Sequence, residues 1–174
     1  MSYDLLQSPP KARLAVRVGV TGHRPKGLER ADSVILEDKI KSVLTAIKVS
    51  VLKLEDKTGG FYRNESPVMR MLSPLAEGAD TIAARAGLDV GYELNCILPF
   101  LRDEYENDFK TDASKKLYGD LLCKATSVLE LEGARTNHRE NESYLDVGRL
   151  VLKQSDIIIA VWDGHDAKGT GGTE

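Results

Sequence analysis

Leu36, Ile40, Val43, Leu44, Ile47, Val51 and Leu54 recur at offsets 0, 4, 7, 8, 11, 15 and 18. That is one face of a 3.6-residue period, so the spacing predicts a long amphipathic helix, with Asp32 as its N-cap. Before it, residues 14–20 (LAVRVGV) are apolar and valine-rich and predict a first strand. Residues 1–13 read as an irregular lead-in, where Pro9-Pro10 blocks helix. The loop TGHRPKG follows the strand and is punctuated by Pro25 and Gly27.

The same alternation continues. Residues 68–72 (VMRML) predict a second strand, and SPLAEGAD turns into a helix whose face carries Ala79, Ile82, Ala83, Ala86 and Val90 and which Gly91 stops. Residues 94–100 (LNCILPF) predict a third strand, 103–123 a helix in two pieces, 127–131 a fourth strand, and 143–154 a helix after the polar loop EGARTNHREN. Residues 156–161 (DIIIAV) form the most apolar strand. Strands alternating with helices predict an α/β fold, Rossmann-like and doubly wound, with a mostly parallel sheet and helices on both faces. The third and fifth runs are nearly continuous in apolar residues, as expected of strands buried on both faces. In such a sheet, ligands bind beyond the carboxyl ends of the strands.

Composition narrows the function. The 174 residues carry a formal net charge of −3, so no global basic field points to nucleic acid, and nucleic acid is not an expected partner. The N-terminus lacks the regions of a signal peptide, and no apolar run reaches the about 20 residues of a membrane helix. A soluble, cytoplasmic segment is expected. Cys96 and Cys123 read as reduced thiols, and with three histidines they make no metal-ligand spacing, so no metal is expected.

Three loops at predicted strand ends suit an anion. Thr21, Gly22, His23 and Arg24 combine close backbone approach with a guanidinium fork. Gly78, Ala79 and Asp80 open a helix, where free N–H groups and the dipole favour negative charge, and Asp80 is read as cap, ligand contact or both. Gly169, Thr170, Gly171, Gly172 and Thr173 can form a nest of N–H groups around a phosphate. None is a standard fingerprint. GVTG is not G-x-G-x-x-G, and GHDAKGT has Thr170 where a P-loop needs lysine, which argues against a Walker ATPase and an NAD dehydrogenase.

The segments VGVTGHRP, LAEGADTIAARAG, LPFLRDEYENDF and YLDVGRLVLKQSDIIIAVWDGHDAKGTGGT together resemble the SLOG superfamily, which includes the Lonely-guy phosphoribohydrolases and the DNA-processing protein A family. The resemblance runs from Leu14 to the end of the chain. It implies a Rossmann-like domain over residues 14–174 with a nucleotide pocket above the strand ends. It adds Asp163 and Gly164, and Tyr144 and Arg149 on the helix before the last strand, to the lining residues. It further implies a binding or sensing module for a nucleotide or ADP-ribose-like ligand within a longer bacterial signalling or defence protein, and pairing as a homodimer. Thr173 and Glu174 look like the cap and first turn of a further helix, so the domain is expected to be truncated at its C-terminal end.

Two other functions compete. The Lonely-guy enzymes carry PGGxGTxxE, whose Glu serves N-glycosidic cleavage, whereas this chain reads KGTGGTE. A phosphoribohydrolase would therefore draw its carboxylate from Glu77, Asp80, Asp163 or Glu174, with Arg24 or Arg149 on the phosphate. Single-stranded DNA binding, as in the DNA-processing protein A family, is the third.

Overall fold

Each apolar segment extends as a strand and each periodic segment returns across the sheet as a helix. The computed structural model describes residues 9–29, 31–57, 60–136 and 139–164. Its strands are β1 (Ala15–Gly22), β2 (Val68–Ser73), β3 (Glu93–Leu98), β4 (Ser127–Glu130) and β5 (Ile157–Val161). Its helices are α1 (Ser33–Lys57), α2 (Ala79–Val90), α3 (Arg102–Tyr105), α4 (Asp112–Lys124) and α5 (Arg139–Gln154), with 3-10 turns at Pro25–Gly27 and Glu106–Asp108. The sheet order is β4-β3-β2-β1-β5, and every neighbouring pair is parallel. This is the Rossmann-like α/β architecture that the alternation predicts.

The order locates the site. The chain steps outward from β1 through β2 and β3 to β4, then returns to the far side of β1 as β5. The direction of winding reverses between β1 and β5, and open α/β sheets bind ligands in the crevice at such a reversal.

Helices pack on both faces. On one, Val18, Met71, Leu94 and Leu98 are buried with Leu44, Ala83, Ala86 and Leu121 of α1, α2 and α4. On the other, Val147 and Val151 of α5 meet Leu72 and Ile97. Cys96 lies inside the first cluster, where burial pushes its thiol up to about 12, so it packs as an inert hydrophobe. No helix among the described residues is long and apolar enough to cross a membrane.

The N-terminus of α1 is capped as expected, because Asp32 Oδ1 accepts from the amides of Val34 at 2.8 Å and Ile35 at 3.2 Å. Asp32→Ala should cost about 1 kcal/mol and lower the melting temperature by roughly 2–4 °C. An unchanged thermal melt would contradict this. The seven apolar positions of α1 divide, however. Glu37 pairs with Arg85 and Lys41 with Asp89, which turns that side of α1 toward α2. The opposite flank leaves Val43 46% and Leu54 48% exposed, so the apolar face is narrower than its periodicity.

Two further expectations are corrected. Helix α5 begins at Arg139, four residues before the predicted start at Ser143. β5 is not buried on both faces. Among the described residues it is an edge strand paired with β1 alone, and Ile157 is 38% exposed. An apolar run records side-chain type, not how many strands lie beside it.

Candidate ligand site at the carboxyl edge of the sheet

β1 extends two residues beyond its predicted end because Thr21 and Gly22 pair with Ala160 and Val161 of β5. The first candidate loop is thus anchored in the sheet before it leaves. Gly22 is required by crowding: a Cβ there would lie 2.5 Å from the Ala79 methyl and 2.7 Å from Val161 Cβ. His23 follows, its amide donating to Val161 O at 3.3 Å.

The β2–α2 turn presses on this loop from the other side. Gly78 has φ 102° and ψ −126°, and a Cβ on it would lie 2.5 Å from the His23 carbonyl oxygen. The Ala79 amide donates to that same carbonyl at 3.1 Å. Upstream, fully buried Leu75 has φ 58°, a left-handed conformation that costs a branched residue about 1–2 kcal/mol. Ser73 Oγ holds it there, accepting from the Leu75 amide at 3.0 Å and donating to the Asp80 carbonyl at 3.2 Å. Strain of this kind persists where surrounding contacts over-determine the turn, and it concentrates at functional sites.

These bonds correct one expectation about α2. The sequence predicts free N–H groups in its first turn, open to an anion. In the structure the Ala79 amide is taken by His23 O and the Thr81 amide by Ala76 O. The dipole remains, but these two amides are not open to a ligand. Asp80 is not the N-cap either. That position is Gly78, with no side-chain cap bond, and Asp80 lies in the first turn, bonded to the Ala76 backbone. The residue is only 8% exposed. Burial pushes the carboxyl up to about 7, against the opposing charge of Arg24 and the Ala76 bond.

Arg24 is exposed, with its guanidinium carbon 5.8 Å from the centre of the Tyr144 ring. Tyr144 is fixed beneath it: its hydroxyl donates to Asp108 Oδ2 at 2.5 Å, and its ring meets Phe100 edge-on at 5.5 Å. Burial, then the bond to Asp108, push the phenol's pKa up, so it stays a donor. Behind it, Arg135 pairs with Asp108 at 2.9 Å, Glu140 at 2.9 Å and Glu104 at 3.2 Å, and lies 4.1 Å over the Phe100 ring. This clamp joins the loops after β3 and β4 to the start of α5.

On the β5 side, His23 Nε2 lies 3.1 Å from Asp163 Oδ1 and 3.3 Å from the Asp163 amide. The ring donates to the carboxylate or, as the other neutral tautomer, accepts from the amide. Gly27 makes room for it, since a Cβ there would lie 2.7 Å from His23 Cβ. His23 thus makes a hydrogen bond across the switch point to Asp163.

The structure therefore gathers Thr21, Gly22, His23, Arg24, Gly78, Ala79, Asp80, Tyr144 and Asp163 at one edge, with half-buried Glu77 in the same turn as Gly78. Arg149 is not brought there. It pairs with Asp146 at 3.1 Å with its side chain 66% exposed, two residues from each of the buried Val147 and Val151 and so on the outward side of α5. Gly169, Thr170, Gly171, Gly172, Thr173 and Glu174 lie outside the described residues. The clamp residues Asp108 and Arg135 had no predicted role. Their signal was an acidic, aromatic run after the third strand (RDEYENDF) and one of two arginines in the polar loop EGARTNHREN.

Fold and site together define an open α/β domain whose switch point gathers the exposed Arg24, His23 and the carboxyl groups of Asp80 and Asp163. Neither a scan against models of known protein families nor a search of curated proteins finds a match to this chain.

Proposed function

We propose that this domain binds a nucleotide or ADP-ribose-like ligand in the crevice between the carboxyl ends of β1 and β5, with Arg24 on a phosphate. The observation that carries the reading is an exposed guanidinium at the topological switch point, set above Tyr144 and rooted in a loop that Gly22 and Gly78 allow to pack closely against β5 and α2. The α2 dipole adds favourable potential for an anion. In this reading the domain acts as a sensor, and ligand shifts a population of states that a partner reads.

A thermal-shift panel of nucleoside mono- and diphosphates, cyclic nucleotides and ADP-ribose tests it. A ligand at a hundred times its Kd stabilises by about 2.7 kcal/mol, a rise of roughly 5–10 °C. A panel in which no phosphate-bearing member raises the melting temperature contradicts the proposal.

One observation favours a second reading, a nucleoside 5′-monophosphate phosphoribohydrolase. A buried carboxyl near pKa 7 is what general acid–base chemistry at neutral pH requires, and Asp80 supplies it beside Arg24. Chromatography for free base after incubation with nucleoside monophosphates separates the two. Release of base that Asp80→Asn abolishes supports the enzyme, and binding without release supports the sensor.

A further inference from the structure

We propose that the flank of α1 turned away from α2 is a docking seam for an acidic amphipathic helix of a partner protein. The seam is separate from the ligand crevice, and its use does not depend on the ligand.

The spacing along α1 defines the seam. Leu36, Val43, Ile47 and Leu54 stand at offsets 0, 7, 11 and 18. In a heptad, Ile40, Ile47 and Leu54 take the a positions and Leu36 and Val43 the d positions. The domain uses this row only in part. Ile40 is buried, Leu36 and Ile47 are half-buried against the core, and Val43 and Leu54 are 46% and 48% exposed. The roll of α1 is fixed, because the pairs Glu37–Arg85 and Lys41–Asp89 tie its other side to α2. Since α2 packs over β1, β2 and β3, the seam faces the β5 side of the sheet, where Ile157 is 38% exposed.

Charge selects the occupant. The g positions beside the seam are Lys39, Ala46 and Lys53, all exposed. Among the described residues neither lysine has a carboxylate partner. The e positions, Glu37, Leu44 and Val51, are buried in the domain. An incoming helix therefore meets its free charge at the lysine rim, and such rims choose the partner and its orientation. A second copy of this chain fits badly. Antiparallel, it sets the lysine rim of one copy against that of the other, and parallel, it needs the e positions that the fold has buried. A lipid surface is planar and calls for a broad cationic face, whereas here two lysines border one narrow stripe. A helix with apolar residues for the seam and carboxylates along one rim satisfies both features.

The test titrates wild-type protein into two fluorescent helical probes, read by anisotropy. Both carry Leu at a and d. One has Glu at e and g and the other Lys, so each repels itself and stays single. The glutamate probe should bind saturably and about tenfold more tightly than the lysine probe, with a preference that shrinks as salt rises. Lys39→Glu combined with Lys53→Glu should reverse the preference, and Val43→Ser should weaken binding of the glutamate probe several-fold. No binding of the glutamate probe, equal affinity for the two probes, or a preference that the charge reversal leaves in place overturns the proposal. A wild-type dimer in sedimentation that Val43→Ser splits would give the seam to a second copy, and binding to phosphatidylserine vesicles that Val43→Ser abolishes would give it to lipid. Either result also overturns the proposal.

Discussion

Gly78→Ala is expected to destabilise the domain by about 2–4 kcal/mol, to lower its melting temperature by roughly 5–15 °C and to abolish ligand binding. Two effects combine. At φ 102° and ψ −126° an L side chain is strained whatever the space around it. The new methyl would also lie 2.5 Å from His23 O and 3.0 Å from the Arg24 carbonyl carbon. Both are backbone atoms, so no rotamer change relieves the contact. The α2 start must separate from the β1 loop, and Arg24 moves with it. Gly148→Ala is the matching control. Nothing lies within 4 Å of a Cβ there, and alanine in the middle of α5 should stabilise by about 0.5–1 kcal/mol. Thermal melts of the two variants that shift alike would contradict this account of Gly78.

Arg24→Gln should weaken binding of the responsive nucleotide about a hundredfold, equivalent to about 2–3 kcal/mol for a lost charge-assisted contact. The fold should hardly notice, because Arg24 is exposed and its ring contact with Tyr144 is long at 5.8 Å. The effect on stability depends on pH. Asp80 titrates higher in the fold than in the unfolded chain, so the native state binds the extra proton, and stability falls as pH rises through about 7. Arg24 opposes that loss by favouring the ionised carboxylate. Below pH 6 the variant should melt within about 2 °C of wild type, and above pH 7 it should fall behind. Calorimetric affinity within about threefold of wild type would remove Arg24 from the site.

Much of this was legible in the sequence for local reasons. Period 3.6 and apolar runs located the five strands and the α-helices among the described residues, and the glycines of VTGHRP and LAEGAD marked the two turns that meet. Gly91 closes α2 in the left-handed conformation, as its position suggested. What was hidden depends on partners distant in sequence. The exposed flank of α1 is set by Arg85 and Asp89, tens of residues away. The edge position of β5 follows from the sheet order, to which a run of isoleucines is blind. The occupied Ala79 amide at the start of α2 follows from the His23 carbonyl, a main-chain group with no sequence signature. Asp80 could be placed at the edge from its turn. Its burial, and hence its high pKa, required the tertiary packing.

The central claim is that a phosphate-bearing nucleotide sits at the β1–β5 switch point. Titration of ADP-ribose, or of the strongest member of the thermal panel, into isotope-labelled protein tests it most directly by amide chemical shifts. The account predicts the largest saturable changes at Gly22, His23, Arg24, Gly78, Ala79, Asp80 and Asp163. Changes confined to α1 or to the amino-terminal edge of the sheet, with these amides unmoved, would contradict it.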